Sequence, residues 1–501
     1  MGLRRLKAER DKLYYIVIAW LLTFVGSQAF SASIVLTPDL ALEMMLKNNP
    51  KVRLALLDFE IAQAEQISSH LDFDIHATAK TFYNRDRLLS NSIGEEFAPV
   101  TTSAGLSLGV KSKIRYGTEG EASLSFVRDT TDQVSTSVNK YWQSGTQFKI
   151  TQPILRDRGA EVNTVREVAA NVKSSRYLWD FLETVDQQGE ATMIQYYEWL
   201  AYVQKIKIQK DKLSSAGWMM ETEEAKYKAG KKSRTDVLQA LAKLEAAKAR
   251  LATLEREEIE AREKLGKSVS PLKEPLNLHN WTVPTLNKSA EAELAEKKNT
   301  KIIRLGFEID EAQIEVRSAQ LKILPRLDFI AGFSSSGLSI NAGSAMRDAA
   351  VFKFPPWNVM FELEIPIGNE AARGEIRRTK ALREKKEMTL TEAKSILQSD
   401  VDKKQNTLRF SRNILEVLEN RLTKAKDIEL AKKAFYLSGK ISLLEYNDAS
   451  DEVKSVEESR VDESLKSQKE NASLAALNGK FSEKAKTYFS SIIPRSRSNV
   501  P

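Results

Sequence analysis

At 501 residues, with 42% hydrophobic and 29% charged residues, the chain has material for a large core and too much of it for a disordered polymer. Its formal charge of +8 is partly a feature of the start, where Arg4, Arg5, Lys7, Arg10 and Lys12 face only Glu9 and Asp11, and no later basic run carries interleaved aromatics, so a nucleic-acid role is excluded. With no cysteine the chain has neither disulfides nor the residue a lipid-anchored bacterial protein needs after its signal.

The basic start runs into an apolar stretch over 13–25 and then into Ser27-Gln28-Ala29, a small-x-small site, so 1–29 reads as a secretory signal peptide cleaved after Ala29. An uncleaved anchor is the alternative, but the stretch falls short of the roughly 20 residues a spanning helix needs. No later segment is apolar for long enough to span as a helix, so any membrane crossing by the mature chain requires β-strands.

From Leu36 the chain is written twice. The segment beginning Ala225-Lys-Tyr227-Lys-Ala-Gly230-Lys-Lys-Ser233 matches the one beginning Ala434-Phe-Tyr436-Leu-Ser-Gly439-Lys-Ile-Ser442, with six of sixteen positions identical through Ala240 and Ala449. Phe148-Lys-Ile-Thr-Gln-Pro153-Ile matches Phe361-Glu-Leu-Glu-Ile-Pro366-Ile, and a helix holding Phe59 and Ala62 pairs more weakly with one holding Phe307 and Ala312. Repeat one covers 36–268, a proline-bearing linker 269–285, repeat two 286–481, and a C-terminal tail 482–501.

Each repeat reads as helix, strands, long helix, tight turn and returning helix. The long helices are predicted over 160–229 and 369–438, each 70 residues without proline and therefore about 105 Å long at ~1.5 Å per residue. Returning helices follow over 233–268 and 441–478. Heptad-like spacing of Val237, Leu241, Leu244, Ala247, Leu251 and Leu254, and of Ile414, Leu418, Leu422 and Ala425, predicts lengthwise packing along coiled-coil seams.

Strands alternate at Phe73, Ile75, Ala77 and Ala79, and at Leu327, Phe329 and Ala331 within a strand region over 326–367. That predicts four barrel strands per chain, with an extra hairpin over 106–127 in repeat one. Four strands cannot enclose a channel, since about eight give only a side-chain-filled interior, so several chains must share one barrel. Tyr141, Trp142, Phe352, Phe354 and Trp357 flank the strands and fit either an aromatic girdle or ordinary packing.

Leu36-Thr37-Pro38 with Ala41, Asn48-Asn49-Pro50, Gln152-Pro153, Leu324-Pro325-Arg326-Leu327 and the duplicated Tyr-x-x-Gly-x-x-Ser turns at Tyr227 and Tyr436 together resemble the TolC-like outer-membrane efflux channel family over residues 36–481. The resemblance implies a mainly α, mixed fold: a trimeric outer-membrane β-barrel of twelve strands, four per chain, continuing into a long antiparallel coiled-coil α-barrel across the periplasm. It implies a homotrimer in outer-membrane lipid, partnered by a periplasmic adaptor and an inner-membrane pump or transporter, exporting small molecules or proteins without a cofactor.

The helix-turn-helix tips of that family form a closable entrance, which makes Tyr436, Glu445 and Asp448 gate candidates. Glu445 and Asp236 equally fit capping boxes with Ser442 and Ser233, Asp448 fits a plain surface carboxylate, and the tyrosines fit seam packing. Gly230 and Gly439 suit the left-handed residue that ends a helix. Gly230, Lys231, Gly439, Lys440 and Tyr227 are the implied tip-turn and adaptor-docking residues. Ile441 stands where the family places an arginine against the tyrosine, so that latch does not carry over.

An enzyme is not expected: His70, His76 and His279 show no metal-ligand spacing, and Gly230-Lys-Lys-Ser233 lacks the upstream glycine of a phosphate loop. The competing reading is a periplasmic coiled-coil adaptor or a structural protein of an envelope-spanning complex, although an adaptor carries one helical hairpin rather than a duplicated pair.

Overall fold

The long proline-free stretches are helices of a length that sets the shape of everything around them. A computed structural model describes residues 36–87, 100–131, 138–269, 291–352 and 355–490. The expected signal peptide at 1–29 and nearly all of the expected linker at 269–285 lie outside them.

The chain enters at α1 (Pro38–Asn48) and α2 (Pro50–Ser68), whose starts are set by side-chain caps. The Thr37 hydroxyl accepts from the Leu40 N–H, the Asn49 carbonyl accepts from Lys51 and Val52, and a proline follows each cap, where its missing N–H costs nothing. A 3₁₀ turn at Ser69–Phe73 then leads into four strands, β1 (His76–Arg87), β2 (Val100–Lys113), β3 (Glu119–Thr131) and β4 (Lys140–Pro153). Phe73, expected to open the first strand, belongs to that turn.

A single helical turn at Ala160–Asn163 precedes α3 (Val165–Lys228), which α4 (Arg234–Val269) follows back. Then come α5 (Glu291–Lys298), α6 (Thr300–Leu321), β5 (Arg326–Ser339), α7 (Ala342–Ala350), β6 (Trp357–Glu364), α8 (Glu370–Leu437), α9 (Leu443–Leu477) and α10 (Lys480–Tyr488). At 64 and 68 residues, α3 and α8 each reach about 100 Å. The expected tail from residue 482 begins inside α10, whose Phe481, Ser482 and Ala485 are buried, so its first residues are packed; 491–501 lie outside the described residues.

The six strands of the described residues form one antiparallel sheet in chain order, β1 to β6. The expected four sheet strands with a hairpin apart are thus corrected: the hairpin is β2 and β3, fully paired in the middle of the sheet. Its two faces differ. One row of partners reads Ala77, Val110, Ala122, Phe148, Phe333 and Trp357 across the whole sheet. The adjacent row on the other face reads Thr78, Gly109, Ser123, Gln147 and Ser334, and the next on that face Lys80, Ser107, Ser125, Gly145 and Ser336.

The apolar face is exposed in the single chain, including Leu106, Leu108, Val110, Trp357, Val359 and Phe361. Along β4 it runs from Trp142 to Ile150, about 27 Å of strand and roughly 21 Å of height at a 40° tilt, close to the apolar band of outer-membrane barrels. Where it turns polar, at Ser144, Ser335 and Gly337, α7 covers it with Ala345 and Ala349. Gly337 is needed there, because a Cβ would stand 2.9 Å from the Ala349 nitrogen. Phe352 packs on Phe148 and Phe333, and Trp142 stacks on Phe126 at 4.8 Å, so these two aromatics lie on the apolar face; Phe354 is outside the described residues.

The main core lies midway along α3, where α1, the ends of α4 and α9, and α10 converge on Phe181, Val185, Tyr196, Trp199 and Leu265. Asp186 pins three helices there: its Oδ1 accepts from the Ser482 N–H at 2.9 Å and its Oδ2 from the Thr300 hydroxyl at 3.0 Å. Burial pushes its carboxyl up to about 6. Toward the sheet, Arg304 of α6 pairs with Glu183 at 2.6 Å and Arg176 of α3 with Glu311 at 2.9 Å, locking α3 to α6.

The seams run through the expected Ala247, Leu254, Leu422 and Ala425 and differ from expectation at Leu241 and Ile414. The buried line of α4 is Ala240, Ala247, Leu254 and Ala261, one residue per heptad, while Leu241 is exposed. On α8 the line is Leu408, Leu415 and Leu422 with Ala425, while Ile414 is exposed beside Phe410 and Val417. The small alanine line of α4 faces α3, so the larger apolar residues are left for a second contact.

Candidate functional site

The tips are built from two helical reversals lying side by side. At the first, the Lys231 N–H donates to the Lys226 carbonyl at 2.9 Å and the Gly230 N–H to the Tyr227 carbonyl at 2.9 Å, with Gly230 at φ 72°. The second repeats this with Lys440 to Phe435 at 2.9 Å, Gly439 to Tyr436 at 3.1 Å and Gly439 at φ 74°. This six-to-one and five-to-two pattern satisfies the last helical carbonyls, and its left-handed residue is glycine because a Cβ would be strained there.

Both returning helices start on capping boxes. The Ser233 hydroxyl accepts from the Asp236 N–H at 3.3 Å, while the Asp236 carboxylate accepts from the Ser233 N–H at 3.1 Å and its hydroxyl at 3.0 Å. The Ser233 N–H holds the Asp236 carboxyl below its ordinary range. Ser442 caps α9 through its hydroxyl, accepting from the Glu445 N–H at 3.3 Å and donating to Glu445 Oε1 at 3.0 Å. Asp448, one turn further on, is exposed.

The two tyrosines of the duplicated motif part company. Tyr227 is 44% exposed, whereas Tyr436 is 2% exposed and reaches across from α8 to α3. There its hydroxyl donates to Oε1 of Glu223, a carboxylate with no exposed surface. The Tyr436 ring stacks on Tyr446 of α9 at 5.5 Å, meets the edge of Trp218 of α3 at 6.3 Å, and carries the Lys226 ammonium 3.8 Å from its centroid. Burial, and then the bond to Glu223, raises the Tyr436 phenol far above its ordinary range.

Glu223 is the member that sequence reading missed. Its Oε1 also accepts from Lys226 at 3.4 Å, and its Oε2 lies 4.0 Å from Lys232 without a hydrogen bond. A buried carboxylate is costly unless paired, so this cluster ties the α8–α9 hairpin to the α3–α4 hairpin within one chain. The structure thus joins Tyr436 to Glu223, Trp218, Lys226 and Tyr446, leaves Glu445 in its cap, and leaves Asp448, Lys231, Lys440 and Tyr227 at the surface.

The family model for outer membrane efflux proteins matches residues 121–269 and 292–480, the long helices, both tips and the strands from β3 onward. The chain belongs to the outer membrane efflux protein family. It is therefore an outer-membrane protein whose helical part extends into the periplasm, in a family of efflux channels rather than enzymes, which removes the adaptor reading. Among solved structures it is similar to the CmeC outer-membrane channel of Campylobacter jejuni, at 13% identity and a TM-score of 0.64 over 94% of this chain and 95% of that one. The outer membrane protein VceC of Vibrio cholerae matches at 12% identity and 0.64 over 88% and 96%. The open-state MtrE outer-membrane channel of Neisseria gonorrhoeae matches at 15% identity and 0.61 over 88% of each. No curated protein matches. The first family segment begins inside β3, so β1 and β2 stand outside it.

Among the described residues no helix is long and apolar enough to cross a membrane and no group of side chains is arranged for a metal ion.

Proposed function

We propose that three copies of this chain close one β-barrel and one helical tunnel, and that the assembly exports small molecules or proteins together with an inner-membrane transporter and a periplasmic adaptor. The observation that carries this is the two-faced sheet. Its apolar face suits hydrocarbon, its polar face suits water, and among the described residues β1 and β6 each leave one edge unpaired. Lipid cannot hydrogen-bond those edges, so they must be closed by further copies. The exposed stripes Leu238, Leu241 and Ile259 on α4 and Phe410, Ile414, Val417 and Ile428 on α8 provide apolar seams for neighbouring helices. The matching junctions, with Asn49 capping α2 and Asn299 capping α6, support reading the chain as two copies of one unit.

At the entrance, moving one hairpin outward must break the Tyr436–Glu223 tie, which makes Tyr436 the latch and Glu223 its partner. Asp448 of three chains would ring the passage and favour cations, with Glu445 able to join when it leaves its cap. Gly230, Lys231, Gly439, Lys440 and Tyr227 form the tip surface offered to the adaptor. The test is native mass measurement of outer-membrane extracts, with a chemical cross-linker applied to cells. A three-chain species cross-linked to a periplasmic partner through the tip lysines is expected. A soluble periplasmic monomer would end the proposal.

A further inference from the structure

We propose that the membrane segment of this channel is an eighteen-stranded barrel, six strands from each of three chains, wide enough to pass a polypeptide that retains a helical hairpin. This rests on the channel reading above and concerns what its outer end admits.

The hairpin β2–β3 belongs to the wall. Both strands are flanked on either side within the sheet, and the pairings run the length of the strands, from His76–Lys111 to Arg87–Val100 and from Glu119–Thr151 to Thr130–Lys140. Leu106, Leu108, Val110, Leu124 and Phe126 fall in register on the same apolar face as Phe148 and Phe333. Ser103, Ser107, Ser123 and Ser125 fall on the polar face with Gln147 and Ser334. A hairpin folded outside the wall would have no reason to share both alternations with its neighbours.

Its turn is also fastened to the rim where β4 becomes helix. The Gly159 N–H donates to the Tyr116 carbonyl at 3.1 Å, and Arg115 pairs with Glu167 of α3 at 3.0 Å. Gly117, at φ 93°, lets the turn approach so closely that a Cβ would stand 2.5 Å from the Asp157 carbonyl and 2.9 Å from Pro153.

Geometry then gives the width. Eighteen strands spaced about 4.8 Å apart and tilted about 40° make a wall roughly 113 Å around and 36 Å across, while twelve make roughly 75 and 24 Å. Near the sheet each chain sets α2, α3, α6 and α8 side by side. Twelve such helices at about 8–10 Å spacing measure roughly 96–120 Å around. At that tilt the eighteen-stranded wall continues the tunnel at its own width, whereas a twelve-stranded one matches it only if its strands tilt by more than about 50°.

Allowing about 5 Å of side chain on each wall leaves a lumen of roughly 26 Å instead of 14 Å, about three times the cross-section. A helix with its side chains is about 10–12 Å across, so the wider lumen admits two side by side and the narrower one only one. Serine, threonine and glycine dominate the inner face of β2, and the short Ser123, Ser125, Ser334 and Ser336 continue its middle rows onto β3 and β5.

Single-particle cryo-electron microscopy of the full-length protein in lipid nanodiscs reads the strand number directly. A trimer with eighteen strands and a barrel about 36 Å across is expected. A trimer with twelve strands and residues 100–131 outside the wall overturns this inference while leaving the channel reading in place. Any other oligomer, or no barrel, overturns both. A second measurement applies graded polyethylene glycols from the barrel side during bilayer recording. Deleting residues 100–131, which joins β1 to β4, should lower the polymer diameter admitted about two-fold, and an unchanged cut-off in the inserted deletion variant counts against the inference.

Discussion

Removing the Tyr436 hydroxyl is the most telling perturbation of the entrance. In Tyr436→Phe the ring keeps its stack on Tyr446 and its contact with Trp218, so packing is preserved and one hydrogen bond is lost. Glu223 then retains only Lys226 at 3.4 Å and Lys232 at 4.0 Å around a fully buried carboxylate. A hydrogen bond to a charged group contributes about 1.5–3 kcal/mol, and if the tie exists only while the hairpins are together, its loss moves the closed-to-open ratio about 10- to 150-fold per subunit. Single-channel recording should show longer and more frequent openings, and Glu223→Gln should act in the same direction but less. Tyr227→Phe, at the exposed counterpart, is the control and should behave as wild type. Equal open probability in Tyr436→Phe and wild type, with a lowered melting temperature, would show that the contact is only packing and refute the latch.

Three further outcomes follow from particular residues. Leu124→Arg places a charge on the apolar face and should cost about 2–4 kcal/mol of barrel stability, reducing the trimer recovered from outer membranes, whereas Ser123→Arg next to it on the polar face should assemble normally and reduce conductance. Asp186, raised by burial from 3.8 to about 6, stabilises the folded state most below pH 4, and that contribution is lost as pH rises through 6, amounting to up to about 3 kcal/mol; melting curves from pH 4 to 8 should flatten in Asp186→Asn. Asp448→Ala should lower cation preference without changing the melting temperature, since the side chain is exposed; unaltered reversal potentials would take Asp448 out of the passage.

The long helices were readable because nothing in 160–229 or 369–438 interrupts them, and the tips because glycine, serine and an acid must stand at fixed offsets to reverse a helix. Two seam positions were harder to read. Leu241 and Ile414 belong to one apolar stripe and Ala240 and Leu415 to another, and a helix that packs on two sides offers both to the eye. Periodicity in β2 and β3 showed a hairpin, but its place inside the sheet depends on register with β1 and β4, which only the structure reveals. The Tyr436 contact was half legible: the duplicated motif singled out Tyr436 and Tyr227 equally, and only the packing of α9 on α3 brings Tyr436 against Glu223 and Trp218 while Tyr227 stays exposed. Glu223 stands among Glu221 and Glu224 in a polar run, so composition could not have chosen it. The C-terminal segment looked like a tail because Phe481, Ala485 and Phe489 are few, and their burial depends on the pocket that α1 and α3 provide.

The central claim, that this chain forms an aqueous passage through the outer membrane, is tested most directly by planar-bilayer recording of the purified full-length protein together with its native mass. The account predicts a three-chain species giving discrete, cation-preferring current steps. A protein that inserts as a trimer yet passes no current in wild type, in Tyr436→Phe and in Glu223→Gln alike would contradict it.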